Sequence, residues 1–568
     1  MPRKLKPTPP DPKPPQAPAP TPAAKPPARR DTNRDFVEQI VVAFILAFVV
    51  RGFEAEAFVI PTGSMAPTLM GAHKDAECPR CGFNFTVNAS DEFTSPDNPL
   101  SAVHSGLCAN CHAPITFERE PTFNGDRILV MKYLFNMPWL RDGNPKRWEV
   151  IVFHYPGGPE TNYIKRLVGM PGEYLRIYHG DILTRKNENE PYRLERKPLK
   201  HQDALQMIVF DDRFRPKLLA DKPEWQRWRA TDGTRWSQPN PASYLAKAQS
   251  EWSELRYHHV LPDPAQWTAL LDGNPLPSPP KPRLVSDFYA YNAGSTNKRY
   301  PDYRIIPQHW VGDLTLSARI ESRADSGIIR LELIKSGVGN RCEINLQTGV
   351  ATLFHGDQAL GEPANTPLKG QGTHHVKLAN VDGRLTLWVD GQTPFGEGRV
   401  YQEGMEGFTP PTVEDLEPAR IAARDATIQV SDLVLTRDIY YTLDPPHAES
   451  DYQSLGSSTE DILTDPEKFS LLYQVPWSDY HIQPKHYLML GDNSPRSADA
   501  RAWGSEDLAW DPNRTRQNFE VPEEYLIGKA FFVYWPHGKP FWPKIPFLGN
   551  PNFLVPFRPY FERMKLIR

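Results

Sequence analysis

Sixty of the 568 residues are proline, and that abundance sets the first limit on the fold. Proline lacks a backbone N–H and clashes with the preceding helical turn, so a helical bundle or a coiled coil is excluded. Short strands broken by turns remain. Stretches of that form are present at Arg127–Met131, Val150–His154, Tyr163–Val168 and Lys529–Tyr534, punctuated by turns such as Gly169-Met170-Pro171-Gly172. The chain therefore reads as mainly β. Hydrophobic residues at 39% suffice for sizeable cores, and an aromatic content of 11% is too high for a largely disordered chain. The length predicts two or three domains. A formal net charge of −4 argues against nucleic acid as a partner, since such binders are normally basic.

The first thirty residues hold twelve prolines and almost no bulky apolar side chains. Residues 1–35 are predicted to be a disordered or polyproline-like tail, because they cannot bury enough surface to offset their ordering entropy. The tail carries Arg3, Lys4, Lys6, Lys13, Lys25, Arg29, Arg30 and Arg34. An apolar run of eleven residues follows, from Ile40 to Val50. That is short for a membrane span, which takes about 20. Extension from Phe36 to Ile60 reaches span length but takes in Glu38, Arg51, Glu54 and Glu56. A buried core helix and a short signal anchor compete here. The cationic tail favours an anchor over 36–57 in the cytoplasmic membrane, single-pass, with the tail cytoplasmic and the remainder outside.

Farther along, residues 200–283 are rich in Trp, Pro and charge, with one helix expected near 242–256. From 284 to 442 clean alternation returns, in Asp313–Ile320, Ile329–Ile334, Arg384–Gly391 and Ala426–Leu435. Alternation with turns at that spacing predicts an antiparallel sandwich, which could begin nearer residue 200.

Three polar sites follow or sit within apolar segments. Ser64 lies in Phe58-Val59-Ile60-Pro61-Thr62-Gly63-Ser64-Met65, just past the apolar run. The hydrolase elbow Gly-x-Ser-x-Gly is not matched. Lys165 lies in a strand and shares its face with Tyr163 and Leu167. Burial there would lower its pKa and fit it to act as a base. The loop Gly491-Asp492-Asn493-Ser494-Pro495-Arg496-Ser497-Ala498-Asp499-Ala500-Arg501 follows the apolar Tyr487–Leu490. Read singly, each is an ordinary turn or strand residue.

Taken in order, with Gly125-Asp126-Arg127-Ile128-Leu129-Val130-Met131-Lys132 between the first two, they resemble the bacterial type I signal peptidases. The resemblance covers about a third of the chain. It implies an antiparallel β catalytic domain with an N-terminal membrane helix, and a Ser/Lys endopeptidase that removes signal peptides from exported preproteins. It implies Ser64 as nucleophile and Lys165 as general base. It places the Thr62 hydroxyl beside the Ser64 N–H as oxyanion donors, Ser497 as the hydroxyl orienting Lys165, and Asp499 with Arg501 as a supporting ion pair. No cofactor is implied for catalysis. The last loop departs from the family pattern at Ser494, Pro495, Arg496 and Ala500. The lipid bilayer and signal-bearing preproteins are the implied partners. The aromatic C-terminal region, with Phe531, Phe532, Tyr534, Trp535, Phe541, Trp542, Phe547 and Phe553, suits either a membrane-facing surface or a β-core.

Two insertions interrupt that frame. Cys78-Pro79-Arg80-Cys81 and Cys108-Ala109-Asn110-Cys111 are separated by 26 residues and resemble a zinc ribbon. Four thiolates at this spacing can close a tetrahedral structural zinc site with no open position for water. Two disulfides are the alternative, favoured by an extracytoplasmic setting. The sandwich resembles concanavalin A-like or laminin G-like modules through its strand pattern and Leu387-Trp388-Val389-Asp390-Gly391. A glycan or protein ligand is the corresponding expectation, and a structural insertion without a ligand the plain one. The expected organisation is the tail at 1–35, the anchor at 36–57, catalytic segments at 58–77, 112–199 and 446–568, the ribbon at 78–111 and the sandwich at 200–445. A membrane-tethered binding protein on a retired peptidase frame is the competing reading.

Overall fold

The computed structural model describes residues 32–49, 55–94, 101–118, 120–132, 144–231, 236–299, 308–404, 409–443, 459–472, 477–503, 520–540 and 557–568. Almost all of the proline-rich tail, and Phe541, Trp542, Phe547 and Phe553, lie outside these residues. Contacts divide the chain into two units, Met1–Phe53 and Glu54–Arg568.

In the first unit, Thr32–Val49 is an α-helix of 18 residues. Residues 36–46 are exposed, Phe36, Phe44 and Leu46 among them. At about 1.5 Å per residue it is about 27 Å long, against about 30 Å of bilayer hydrocarbon. It includes Arg34, Asp35 and Glu38. Among the described residues, no helix is long and apolar enough to cross a membrane. The anchor is expected to run to 57, but Ala55–Val59 is a strand paired with Arg127–Met131, because its residues find ladder partners there.

The second unit is built from antiparallel sheets. One of these is a seven-stranded sheet in the order Ala55–Val59, Arg127–Met131, Leu526–Trp535, Val150–Tyr155, Gly158–Gly169, His486–Leu490 and Glu520–Pro522. A four-stranded sheet of Tyr174–Tyr178, Asp181–Arg185, Arg193–Leu194 and Ser478–His481 adjoins it in sequence. Alternation sorts the side chains of the large sheet. Ile128, Val130, Val150 and Val152 pack with Ile60, Met65 and Leu69, while Ile151, Phe153 and Leu167 enter a second core. Burial in either core is worth about 1.5–3 kcal/mol per large side chain.

The inserted sandwich consists of two eight-stranded sheets. All four alternating stretches read from the sequence are strands in it, at Leu314–Ser322, Ile328–Lys335, Arg384–Val389 and Thr427–Arg437. It begins earlier than residue 284, since Met207–Asp211 pairs with Thr427–Arg437. The helix expected near 242–256 is not formed. Strands Ser243–Lys247 and Ser253–Tyr257 occupy that stretch, drawn out by pairing with Thr427–Arg437 and Ala419–Arg424. A helix forms instead at Pro264–Asp272, with a capping box between Asp263 and Gln266 and left-handed Gly273 at its end. Between Tyr257 and Leu314 the chain leaves the sandwich sheets, and Ser295 bridges Ser105 in the four-cysteine lobe.

Candidate active site

The strand Gly158–Gly169 carries the basic residues of the site. Its register sets Lys165 opposite Ile151 and Arg166 opposite Val150 and Leu490. Ser64 arrives on a single 3-10 turn, Gly63–Met65, at the end of an extended segment. Met65 and Leu69 are fully buried and pin that turn into the core. Lys165 Nζ lies 2.7 Å from Ser64 Oγ. The lysine is 4% exposed. Burial depresses its pKa to about 8, against the opposing fields of Asp499 and Asp492 and with the help of Arg501. An amine at that value is neutral in about one molecule in ten at pH 7. The pair can therefore move a proton from hydroxyl to amine.

The loop after His486–Leu490 holds the nucleophile from behind. The Asn493 N–H donates to the Ser64 carbonyl at 3.0 Å, and Asn493 Nδ2 donates to the Gly63 carbonyl at 3.0 Å. The Ser64 N–H makes no hydrogen bond among the described residues and is left for an incoming group. A Cβ at Gly491 would stand 2.0 Å from Ser497 Oγ and 2.5 Å from the Ser64 carbonyl oxygen, so only glycine fits there. Asp499 and Arg501 form a fully buried pair, with Arg501 Nη2 at 2.7 Å and Nε at 2.9 Å from the carboxylate. Asp499 also accepts from the Gly491 N–H at 2.8 Å.

One sequence-derived contact differs in the structure. Ser497 Oγ is buried and makes no hydrogen bond among the described residues, so the contact expected with Lys165 is not formed. Lys165 Nζ is directed at Ser64 instead, and Ser497 closes on Gly491. Thr62 is exposed, in extended conformation, and its side chain does not cap the turn that follows.

Sequence reasoning missed a second buried ion pair nearby. Arg166 and Asp492, both with no exposed side-chain surface, form a double hydrogen bond with Nε–Oδ1 and Nη2–Oδ2 each at 2.7 Å. Arg166 reaches on to the Trp148 carbonyl and the Thr68 hydroxyl. Its position beside Lys165, and that of Asp492 inside the Gly-Asp-Asn loop, were the available signals. Ser90, Tyr291 and Asn292 also touch the site, from within the insertions, where no motif marks them.

The four cysteines of the ribbon converge. Cys78 Sγ lies 3.6 Å from Cys111 Sγ, and Cys81 Sγ 3.7 Å from Cys108 Sγ. All four sulfurs stand within 4.8 Å of one another. None forms a disulfide. A tetrahedron with metal–sulfur bonds of about 2.3 Å has edges of about 3.8 Å, so the cluster fits a metal ion. The two halves repeat one geometry: the Gly82 N–H donates to the Cys78 carbonyl and the His112 N–H to that of Cys108. Gly82 and His112, each one residue past the second cysteine, are both left-handed, at φ 77° and 57°.

Parts of the chain are similar to known proteins. Residues 107–218 and 416–535 match the family described as signal peptidase, peptidase S26. Ser64 lies ahead of the matched residues, whereas Lys165, Ser497, Asp499 and Arg501 lie within them. Signal peptidase I of Pseudomonas fluorescens is 31% identical over 136 residues, which are 21% of this chain and 44% of that protein. Signal peptidase I of Pseudomonas aeruginosa is 45% identical over 65 residues, 10% of this chain and 23% of that protein. The chain thus spans less than half the length of these curated relatives. Among solved structures, a carbohydrate binding module, CBM66, from Bacillus subtilis covers 38% of this chain and 94% of its own, at 11% identity and a TM-score of 0.19. A likeness that slight supports no conclusion about a ligand. Residues 107–218 and 416–535 are thus similar to the signal peptidases of family S26.

Proposed function

We propose that this chain is a membrane-bound serine endopeptidase that removes signal peptides from exported preproteins with the dyad Ser64 and Lys165. The observation that carries the reading is the 2.7 Å contact between a hydroxyl and a buried lysine whose pKa is lowered to about 8. Ser64 Oγ attacks the scissile carbonyl carbon while its proton passes to the neutral Lys165 amine. The oxyanion takes the free Ser64 N–H, with the Thr62 hydroxyl as second donor, and each such donor is worth about 2.7–4 kcal/mol in the transition state. Collapse breaks the C–N bond, and Lys165 returns the proton to the leaving amine. Lys165 then takes a proton from water, which attacks the Ser64 ester; the ester C–O bond breaks, Lys165 returns that proton to Ser64 Oγ, and the product leaves with its new C-terminal carboxyl group. Asp499 and Arg501 hold the loop behind the dyad, and Ser497 lies within it.

The helix at 32–49 tethers the chain to the cytoplasmic membrane from the cationic tail, with the catalytic unit on the outer side. The exposed apolar residues over 36–46 support that placement. Cys78, Cys81, Cys108 and Cys111 hold a structural zinc ion that stiffens the ribbon and takes no part in the reaction. A glycan or protein ligand of the sandwich would meet a cavity of about 380 Å³ lined by Tyr178, Asp181, Trp310, Asp313, Lys335 and Tyr401.

Cleavage of a signal-bearing test preprotein decides the matter. Wild type should cut it, with kcat/KM rising tenfold per pH unit up to about 8 and then levelling. Ser64→Ala and Lys165→Ala should abolish cutting in folded protein. Cleavage that survives either change rejects the dyad. A folded wild type that cuts nothing yet binds a glycan or protein through the sandwich would favour the retired frame.

A further inference from the structure

Both insertions reach the nucleophile. The Gly63 N–H donates to Ser90 Oγ at 3.2 Å, and Ser90 belongs to the four-cysteine lobe. Ser90 is itself fixed, since its hydroxyl donates to Asn88 Oδ1 at 2.6 Å. From the sandwich insertion comes the turn Ala290–Asn292. Asn292 Nδ2 donates to Asn493 Oδ1 at 2.6 Å, and Asn493 Nδ2 donates back to Asn292 Oδ1 at 2.8 Å. The two amides thereby lock each other's orientation. Locked in this way, Asn493 holds the Gly63 carbonyl through its side chain and the Ser64 carbonyl through its N–H. The Tyr291 ring closes over the same peptide, since a Cβ at Gly63 would stand 2.4 Å from its Cε1.

The geometry points to Ser90 and Asn292, one from each insertion, as positioning residues that fix the Gly63–Ser64 peptide for catalysis. The inference rests on reading Ser64 as the nucleophile. Every polar atom of that peptide except the Ser64 N–H is held: the Gly63 N–H by Ser90, and both carbonyls by Asn493. The one N–H left over has no acceptor among the described residues. With Asn292 removed, Asn493 is free to rotate its amide, and the Gly63 carbonyl loses a fixed donor. The peptide can then tilt, carrying the Ser64 N–H away from the oxyanion and Oγ away from Lys165. Misplacement on the scale of 1 Å costs about a hundredfold in rate.

The test compares full-length wild type with Asn292→Ala, Asn292→Asp, Ser90→Ala and Ser90→Thr. With a signal-bearing test preprotein, the two alanine variants should lose about 10- to 100-fold in kcat with KM within about twofold of wild type. The pH midpoint near 8 should stay, because neither residue touches Lys165. Ser90→Thr keeps the hydroxyl and should restore most of the rate. Asn292→Asp keeps one acceptor at the same volume, should fall between wild type and alanine, and decides the question if the alanine protein does not fold. Hydrogen exchange in the peptide covering 60–70 should quicken in both alanine variants. Wild-type kcat in Asn292→Ala or Ser90→Ala overturns the inference, as does a fall that appears in KM alone. Should wild type itself cut nothing, the nucleophile reading fails separately. Unchanged exchange over 60–70 would then still overturn the positioning role.

Discussion

Lys165 is held in a place that favours its uncharged form, and that must cost the folded chain stability. In water a lysine side chain titrates at 10.5, and here burial brings the value to about 8. Such a lowering corresponds to about 3 kcal/mol. The sign follows from proton counting. Between pH 8 and 10.5 the unfolded chain binds more protons at this group than the folded one, so folding stability rises with pH across that window. The penalty is full below pH 8 and absent above 10.5. Lys165→Met removes it, while giving up a hydrogen bond to Ser64 of about 1 kcal/mol. The variant should therefore be inactive yet more stable than wild type by about 2 kcal/mol at pH 7. Urea unfolding of both proteins, followed by circular dichroism at pH 7, 9 and 10.5, reads the difference directly. The two curves should converge as pH rises and cross near the top of the range. A constant gap, or a variant weaker than wild type at pH 7, would refute the assignment of Lys165 as a desolvated amine.

Gly491→Ala should fold but cut no preprotein, because the added methyl meets both Ser497 Oγ and the Ser64 carbonyl, and a cleavage assay beside a melting curve separates the two effects. Arg166→Ala or Asp492→Asn leaves one buried ionic partner uncompensated and should cost about 3–5 kcal/mol in chemical denaturation. Atomic absorption of purified protein should find one zinc ion per chain, lost together with the ribbon's protection from proteolysis in Cys78→Ser or Cys108→Ser; oxidised cysteines without metal would contradict the site.

The strands at Arg127–Met131 and Thr427–Arg437 were legible because hydrophobic alternation and β-branching agree with their final pairing. The stretch 243–257 was not, since Tyr244, Ala246, Leu255 and Tyr257 face a core supplied by strands more than 160 residues away. Its short alternation is ambiguous until that partner is known. The helix at Pro264–Asp272 did carry a local signature, Asp-Pro-Ala-Gln before an apolar run and Gly after it, which went unread. At the candidate site, Ser64 and Lys165 could be named because motifs flank them. Asn292 could not, because its role comes from a spatial pairing across 201 residues, with no periodicity or spacing to betray it.

The return from the sandwich is knotted into the same loop. The Thr442 N–H donates to Ser494 Oγ at 2.8 Å, and Arg501 Nη1 donates to the Thr442 carbonyl at 2.7 Å. Clipping out residues 200–445 and splicing the ends would thus strip Ser494 and Arg501 of partners at the moment it removed Asn292. Trimming this protein to a minimal core, or grafting its sandwich elsewhere as a portable module, would leave one half of the cut unable to hold its shape.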